Sequence, residues 1–385
     1  MAKCIGCGIT LQSLNQDQPG YVPSTILVEE GNIYCKRCFN IIHYGKLYDP
    51  TITNKEYYEK IDRIKDENAI VLLMIDCMDI YGGFIPNLYK HIGNNPVIIL
   101  VNKIDLFPKG ISLKLLEAKI KELAKENNLA LDSVIMISSK KKKNIERIIN
   151  KIDFIQERFD YKNRNVHHNP NKALTKIYVI GVASTGKSTF LNIFKKDIMK
   201  DDLLITTSLQ MQTTLDFIKI TIDKYHTLID TPGFINYHSY QAYLNSHDNE
   251  ILNAKNYLKP KTYQLNGDQT IYLGGLVRLD FYSEEKINVS FYTSNELYIH
   301  RTKRINADKL YIDKLGTLLV PPTKEELIEE LKNPKNLKKV EYNLIEGSYD
   351  IFISGIGFIH IKAKNCKAII NLYHKIDVNL TESII

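Results

Sequence analysis

A glycine-rich turn carries the clearest chemical signal in this sequence of 385 residues. The segment GVASTGKS spans residues 181–188, after an apolar run and before a predicted helix. The backbone amides of such a loop turn inward around phosphate oxygens, its lysine reaches the β and γ oxygens, and its last hydroxyl ligates magnesium. We therefore predict a phosphate site in which Lys187 and Ser188 have these roles. The other predicted loop contacts are Gly181, Ser184, Thr185, Gly186 and Thr189.

The tetrapeptide DTPG at residues 230–233 follows the strand-like run HTLID. Here Asp230 is expected to hold magnesium through water, and the Gly233 amide to face the γ-phosphate. Two adjacent threonines, Thr213 and Thr214, precede another predicted strand between this motif and the phosphate loop. Either could be the switch threonine that contacts magnesium and the γ-phosphate, and we favour Thr214 while leaving the register open. The predicted catalytic set is Lys187, Thr214, Asp230 and Gly233.

A carboxylate that could select guanine follows another apolar run. The motif NKID at residues 102–105 comes directly after PVIILV, at the strand end where open α/β sheets bind ligands. Asp105 could accept hydrogen bonds from both N1–H and the exocyclic amine of guanine, whereas adenine offers no such pair. The turn SSK at 138–140 matches a motif, usually Ser-Ala-Lys, whose backbone contacts the guanine oxygen. The predicted base-binding residues are Asn102, Lys103, Asp105, Ser138, Ser139 and Lys140.

The order of these motifs is permuted. Ordinary GTPases run from the phosphate loop through the switch threonine and Asp-x-x-Gly to the two base motifs, but here the base motifs come first. The terminal helix of this fold ends near its first strand, so a short connector could join them, and the polar segment 160–175 is the predicted connector. The chain after Gly233 would then lead directly into the carboxy-terminal part. Nucleotide state could therefore be passed along the chain to another surface.

Unaided hydrolysis of GTP to GDP and phosphate is expected to be slow. Phe234 stands directly after Gly233, where Ras-like proteins place a glutamine that orients water. A phenylalanine side chain can neither donate nor accept a hydrogen bond in that role. Hydrolysis would then depend on magnesium, Lys187, the switch threonine and a group added in trans, which suits a switch better than a metabolic enzyme.

Two Cys-x-x-Cys pairs near the amino terminus predict a zinc site. Four thiolates at this spacing can surround zinc tetrahedrally, and paired cysteines in a reducing compartment favour a metal over disulfides. Unligated cysteines are the alternative, and a redox pair is less expected because neither motif opens a helix of a thioredoxin-like unit. Cys77 and Cys366 are interpreted as buried apolar residues. The predicted zinc ligands are Cys4, Cys7, Cys35 and Cys38.

The elements that must position these motifs alternate along the middle of the chain. Short, β-branched, continuously apolar runs predict buried parallel strands, and helical spacing predicts helices between them, so we expect a doubly wound α/β sheet. The runs FIKITI and HTLID predict a strand pair, plausible as a hairpin. The main predicted strands are 69–76, 96–102, 133–138 and 176–181, and the main predicted helices are 113–127, 144–159 and 187–196.

The pattern changes after about residue 240, where short runs rich in Tyr and Phe predict strands. A charged helical stretch at 323–333 interrupts them before two more strand-like runs, YDIFISGIGFIHI and KAIINLY. No internal repeat is evident. The expected architecture is a zinc-binding module at 1–50, a circularly permuted P-loop GTPase domain of the α/β class at 51–240, and a β-rich α+β domain at 241–385.

Composition excludes few function classes but constrains location. The net charge of +7 favours a polyanionic partner only weakly. There is no long apolar run and no signal-like start, so we expect a cytoplasmic protein with no membrane partner, and nothing suggests DNA binding.

Several residues have two readings. The basic run 140–143 is more often a solvated face than an RNA contact, and the aromatic residues of the tail are more often core than base-stacking platforms. Asp76 and Asp79 are better explained by a structural role than as an acid/base pair. The tail residues concerned are Phe281, Tyr282, Phe291, Tyr292 and Tyr298, beside His300, Arg301, Lys303 and Arg304.

With these motifs in this order, the chain resembles the YqeH family of circularly permuted GTPases. The resemblance extends over nearly the whole chain, through CIGC, CKRC, GNNPVIILVNKIDL, GVASTGKST, TTLD, DTPG, GGLVRLDF and ELYIHRTK. It implies a GTPase that assists assembly of the small (30S) ribosomal subunit and contacts its rRNA, with GTP or GDP, Mg²⁺ and Zn²⁺ bound.

The chain departs from that family at two positions. Family members commonly carry Asn at the position of Ser184, where it helps to hold potassium. The resemblance therefore does not decide whether this chain binds K⁺ there. Ser139 replaces the usual Ala of the last base motif, which is a mild change. Two other functions compete with ribosome assembly: a GTP-dependent RNA-binding or RNA-modification factor not dedicated to it, and an RNA scaffold with a degenerate nucleotide site.

Overall fold

The computed structural model describes residues 2, 4, 10–14, 20–27, 33–36, 53–164, 175–198, 218–221 and 226–385. The chain divides into two compact units. The first comprises Met1–Ile75, Ile85–Lys103 and Lys121–Ile235, and the second comprises Asp76–Phe84, Ile104–Ile120 and Asn236–Ile385. Two internal segments of the range predicted for the GTPase domain, and its last residues 236–240, therefore belong to the second unit.

The first unit is built on a mainly parallel sheet with the strand order β3-β2-β1-β4-β6-β5. Its strands are β1 (Ala69–Asp76), β2 (Val97–Asn102), β3 (Leu131–Met136), β4 (Thr175–Gly181), β5 (Ile218–Thr221) and β6 (His226–Asp230). Helices in this part of the chain are α1 (Ser24–Leu27), α2 (Asn54–Ile61), α3 (Leu88–Ile92), α4 (Leu113–Glu126), α5 (Ile145–Arg164) and α6 (Lys187–Ile198).

The four apolar runs predicted as buried strands form β1 to β4. Strand β2 is buried along its whole length, as continuous apolar runs require when helices cover both faces of a sheet. Strand β4 pairs in parallel with β1 on one side and with β6 on the other. The predicted pairing of FIKITI with HTLID is confirmed, because β5 runs antiparallel to β6. The phosphate-loop strand thus lies between the strands that lead to the base motifs and the strand that ends at Asp230.

Helix α5 is longer than its sequence pattern predicts. It continues to Arg164 and takes up the beginning of the predicted connector 160–175. Apolar residues such as Ile148, Ile152 and Ile155 join the core under the sheet, but the periodic pattern stops at Phe159. Residues 160–164 contain no glycine or proline, so nothing in them interrupts the backbone hydrogen bonds. Among the described residues, no helix combines the length and apolarity that crossing a membrane requires.

The second unit contains two antiparallel sheets, in the orders β16-β13-β14-β10-β7 and β11-β8-β9-β15-β12. Side chains from both sheets form one apolar cluster. The strands are β7 (Lys261–Leu265), β8 (Gln269–Leu273), β9 (Val277–Tyr282), β10 (Ile287–Thr293), β11 (Ile299–Lys303), β12 (Leu337–Leu344), β13 (Gly347–Ile353), β14 (Gly357–Ala363), β15 (Cys366–Tyr373) and β16 (Val378–Glu382). The helices are α7 (Ser246–Leu252), α8 (Ala307–Lys314) and α9 (Glu325–Lys332).

The run YDIFISGIGFIHI is two strands rather than one. Strands β13 and β14 pair antiparallel through the turn at residues 354–356, where Gly355 has a φ of +83°. A residue with a side chain rarely adopts this conformation. Apolar residues on both sides of the turn are buried, so hydropathy alone does not indicate a turn here.

The second unit also contains an internal duplication that the sequence does not reveal. Strands β7 to β11 and β12 to β16 have the same order, and each strand of one half has its counterpart in the opposite sheet. The registers agree as well: Leu265 pairs with Ile287 in the first half, and Leu344 with Cys366 in the second. The two halves share burial and pairing rather than residue identity, so direct comparison of their letters shows no repeat.

Candidate nucleotide site

The phosphate loop leaves β4 and turns into α6, as its sequence predicts. Gly186 has a φ of +92° and Ser184 one of +65°. A Cβ on Gly186 would lie 2.5 Å from Asn102 Nδ2, and one on Gly181 would lie 2.7 Å from the Met74 carbonyl oxygen. Glycine is therefore required at both positions by close contacts, and at Gly186 also by backbone conformation.

Lys187 is buried inside this loop. Its ammonium donates hydrogen bonds to the carbonyl oxygens of Gly181 at 3.0 Å and Val182 at 3.1 Å. The Thr185 hydroxyl donates to the same Val182 oxygen at 2.9 Å. The cationic group is thus already within the turn whose amides are expected to bind phosphate, which is the placement that the loop motif predicts.

Asn102 joins the first base motif to the phosphate loop and to the second base motif. Its Nδ2 donates to the Thr185 carbonyl oxygen at 2.9 Å, and its Oδ1 accepts from the Ser139 amide at 2.9 Å. The side chain is only 2% exposed. Three motifs that are far apart in the chain therefore meet through one buried amide.

The turn after β3 is closed by its own backbone. The Lys143 amide donates to the Ser138 carbonyl at 3.0 Å, and the Lys141 amide donates to the Ser138 hydroxyl at 3.0 Å. Ser139 is buried, and its hydroxyl has no hydrogen-bond partner among the described residues. Side chains 140–143 are exposed, which both interpretations of this basic run require.

The Asp-x-x-Gly motif is held against the end of β4. Asp230 ends β6 and lies opposite Val179. The Thr231 hydroxyl donates to the Val179 carbonyl at 2.8 Å. The Phe234 amide donates to the Gly181 carbonyl at 3.1 Å, and its carbonyl accepts from the Ala183 amide at 2.9 Å. Gly233 is therefore fixed from both sides beside the loop that contains Lys187.

For the other predicted site residues, the structure gives the backbone conformation or the exposure. Lys103 has a φ of +66°, and Asp105 lies in a short 3-10 helix, Ile104–Leu106, that belongs to the second unit. Ser188 is half-buried, whereas Ser184, Thr189 and Lys140 are exposed. Both candidate switch threonines, Thr213 and Thr214, lie outside the described residues. The roles assigned to these residues remain predictions.

These features fit a guanine nucleotide with magnesium. The loop holds a buried ammonium among carbonyl oxygens, a glycine that leaves no room for a side chain, and an adjoining base-motif hydroxyl without a protein partner within the described part of the chain. Ser188 and Asp230 carry side-chain oxygens, the kind of ligand atom that magnesium prefers.

Half of the predicted zinc set is described. Cys4 and Cys35 are buried together with Leu11, Val22 and Ile33, and the Cys35 amide donates to Cys4 Sγ at 3.2 Å. Cys7 and Cys38 lie outside the described residues. Within the described residues there is no group of three or more metal-ligating side chains. As predicted, Cys77 and Cys366 are buried, and burial raises the pKa of the Cys366 thiol to about 11.

The aromatic residues of the tail divide between core and surface. Phe281 and Phe291 are buried in the second unit's apolar cluster, as the core interpretation predicts. Tyr298, by contrast, is 42% exposed and shares a hydrogen bond with His300 at 3.2 Å. The Arg304 guanidinium lies 5.0 Å from the centre of the Tyr282 ring.

Asp79 has a structural role, as expected. In the second unit its carboxylate accepts from the Ser354 hydroxyl at 2.7 Å, the Gly355 amide at 2.9 Å and the Gly82 amide at 3.0 Å. Burial raises its pKa from 3.8 to about 6, although these three donors oppose that rise. Gly275, in the turn between β8 and β9, is the counterpart of Gly355 in the other half of the second unit. Its amide donates to the Pro321 carbonyl oxygen at 2.7 Å.

One part of the site was missed by sequence reasoning. Helix α2 contacts the residues that follow Gly233: Asn54 Nδ2 donates to the Ile235 carbonyl at 3.0 Å, and two tyrosines of α2 pack on Phe234. The only local signal is a capping box from Thr53 to Glu56. It predicts the start of a helix but not what the helix contacts.

Comparison with known proteins agrees with this site. Residues 176–263 match the family described as "50S ribosome-binding GTPase", and residues 286–384 match "YqeH-like, C-terminal". Plant "NO-associated protein 1, chloroplastic/mitochondrial" of Arabidopsis thaliana is 26% identical over 406 residues, 93% of this chain and 69% of that protein. The crystal structure of YjeQ from Thermotoga maritima aligns with 44% of this chain and 49% of its own at 17% identity, with a TM-score of 0.24, too low to bear on the fold.

A relative at higher sequence identity matches over both units. YqeH of Bacillus subtilis (strain 168) is 36% identical over 358 residues, which cover 93% of this chain and 92% of that protein. The described phosphate loop falls inside the GTPase match, and β10 to β16 fall inside the carboxy-terminal match. The chain is therefore a GTPase, and it belongs to the YqeH family.

Proposed function

We propose that this GTPase is a nucleotide-dependent binding switch that assists assembly of the small (30S) ribosomal subunit by contacting its rRNA in the cytoplasm. The observation that carries the nucleotide part is the buried Asn102 amide, which joins the phosphate loop to both base motifs. A degenerate site would have no need of such a link, so this feature supports nucleotide binding over a pure scaffold.

Each predicted residue has a definite part in the proposed switch. Lys187 binds the β- and γ-phosphate oxygens, the Gly233 amide contacts the γ-phosphate, and Asp105 reads guanine. Magnesium, when bound by Ser188, Thr214 and Asp230, neutralises phosphate charge. Phe234 has no group that can orient water, which supports a slow unaided rate and an activator supplied by the partner.

We further propose that zinc binds Cys4, Cys7, Cys35 and Cys38. Support comes from the first and third of these, which are buried beside each other with an amide donating to Cys4 Sγ. Thiolates bound to a metal accept such hydrogen bonds, and metal binding requires the deprotonated form. The module would then add a second surface for RNA.

The ribosomal partner is supported by charge and by the names of relatives. The chain has a net charge of +7, and the second unit exposes Arg301 and Lys303 on the edge strand β11 and Tyr298 directly before it. Aromatic and basic side chains together can stack on bases and pair with phosphates. The matched GTPase family is described by binding to the 50S subunit, so the large subunit is the alternative that an experiment must separate.

Co-sedimentation with purified 30S and 50S subunits tests this proposal. We expect the protein to pellet with 30S subunits in the presence of a non-hydrolysable GTP analogue, and at least about tenfold less with GDP, a difference of about 1.4 kcal/mol. Lys187→Ala should abolish the nucleotide dependence. Equal pelleting in all nucleotide states, at a salt concentration that suppresses non-specific RNA binding, would exclude the switch. Pelleting with 50S subunits alone would exclude the 30S assignment.

A further inference from the structure

Helix α2 holds the residue that follows the Asp-x-x-Gly motif. The ring of Phe234 lies 5.4 Å from the ring of Tyr57 and 5.7 Å from that of Tyr58, measured between ring centres. Tyr57 is fully buried and Phe234 is 5% exposed. The Phe234 side chain is thus an anchor in an aromatic cluster, which explains what a phenylalanine does at this position.

Helix α2 also contacts the backbone of the next residue, Ile235. Asn54, the first residue of α2, donates its Nδ2 hydrogen to the Ile235 carbonyl oxygen at 3.0 Å. The amide and carbonyl of Phe234 are both bonded to the phosphate-loop strand end, at Gly181 and Ala183. The two residues after Gly233 are therefore held on one side by the loop and on the other by α2.

Helix α2, which contacts Phe234, is itself held in place by several contacts. A capping box fixes the start of α2, with the Thr53 amide donating to Glu56 and the Glu56 amide donating to the Thr53 hydroxyl. The Tyr58 hydroxyl donates to the Pro86 carbonyl at 2.7 Å, and its ring stacks on His91 with ring centres 4.7 Å apart. Because Tyr58 is already fixed from two sides, its contact with Phe234 costs little additional side-chain entropy.

We propose that α2 is a docking site for residues 234–235 and that this docking raises the affinity of the protein for GTP relative to its affinity for GDP. Docked residues keep the Gly233 amide beside the phosphate loop before nucleotide binds, so less conformational freedom is lost when the γ-phosphate is contacted. GDP has no γ-phosphate and gains nothing from this order. Asn54, Tyr57 and Tyr58 are then positioning residues that act through Gly233. The inference rests on the proposed contact of Gly233 with the γ-phosphate.

The test compares the affinities of the full-length protein for GDP and for a non-hydrolysable GTP analogue. In Asn54→Ala/Tyr58→Ala we expect the affinity for the analogue to fall about tenfold and that for GDP to change by less than about twofold. Hydrogen exchange of the backbone amides around residues 233–235 should become faster in the same variant. Tyr89→Ala, on neighbouring helix α3, is the matched control and should leave both affinities unchanged.

The outcomes separate this inference from the proposed site. If both affinities of the double variant fall equally, or neither changes, α2 does not set nucleotide preference. Asn54→Ala alone, which removes one hydrogen bond at the start of the helix, gives the same comparison if the double variant does not fold. If Gly233→Ala lowers the affinity for the analogue while the α2 variants do not, only the docking idea fails. If Gly233→Ala also has no effect, the γ-phosphate contact itself is wrong.

Discussion

Removing the Asn102 side chain should weaken nucleotide binding as well as destabilise the fold. Asn102→Ala leaves the Thr185 carbonyl and the Ser139 amide without their partner at a position that is only 2% exposed. An orphaned buried group costs about 1–3 kcal/mol, so two cost about 2–6 kcal/mol. The loop and the base turn would also lose their shared reference point. We therefore expect GDP affinity to fall by at least about tenfold, or 1.4 kcal/mol.

A second buried asparagine provides the control. Asn95 Oδ1 accepts from the Ala69 amide at 2.9 Å, and its Nδ2 donates to the carbonyls of Ile64 and Ile92 at 2.7 and 2.9 Å. Ala69 begins β1, so this network lies at the amino end of the parallel strands, away from the phosphate loop. Asn95→Ala removes the partner of three buried groups, so it should lower the free energy of unfolding by about 3–9 kcal/mol, at least as much as Asn102→Ala, without changing GDP affinity.

Calorimetric titration with GDP and thermal unfolding of both variants measure the two effects separately. Melting temperatures should fall by at least about 4 °C in each variant, since 1 kcal/mol corresponds to about 2–4 °C for a unit of this size. If Asn102→Ala binds GDP as the unchanged protein does, or if Asn95→Ala weakens GDP binding equally, then Asn102 does not organise the site and the reasoning fails.

Four further predictions concern single residues. Asp105→Asn should weaken GTP binding and favour xanthosine triphosphate, because the new amide donates where the carboxylate accepted; unchanged base preference in competition binding would refute this. Elemental analysis should find one zinc per chain, reduced in Cys35→Ser. Because Ser184 has no side-chain amide, GTPase rates in K⁺ and Na⁺ should agree within about twofold. A twofold rate ratio is a negligible difference in the activation free energy of hydrolysis. Asp79, with its pKa raised from 3.8 to about 6, should make unfolding free energy fall as pH rises from 4 to 6, and Asp79→Asn should remove that slope in chemical denaturation.

The sign of the Asp79 effect follows from the protons bound in each state. Between pH 4 and pH 6 the folded protein holds a proton on this carboxyl that the unfolded chain has already released. Stability from this group is therefore present in full below pH 3.8 and is lost as pH rises through about 6. A slope of the opposite sign in this window, specific to Asp79, would show that its hydrogen bonds outweigh its burial.

Much of the fold could be predicted because the information is local. The continuous apolar runs of β1 to β4 state that both faces are covered, and glycine, lysine and serine in GVASTGKS define a loop whose geometry depends on adjacent residues. The sequence pattern predicts a helix shorter than α5, and it predicts one continuous strand where β13 and β14 form a hairpin. Both differences arise where hydropathy carries no signal: in a polar helix end, and across an apolar turn.

What the sequence determined by itself was the chemistry: the motif order, the phosphate loop and the residues expected to select guanine. Tertiary structure alone decided which of these residues meet, because contacts between distant segments depend on how whole elements pack. It placed the Asn102 amide between Thr185 and Ser139, laid α2 against Phe234, and paired the strands of the second unit as two equivalent halves. Asparagine, tyrosine and phenylalanine occur at many positions, so the residue type alone does not predict such contacts. Only the folded chain brings the hydrogen-bond donor to its acceptor and the aromatic rings together.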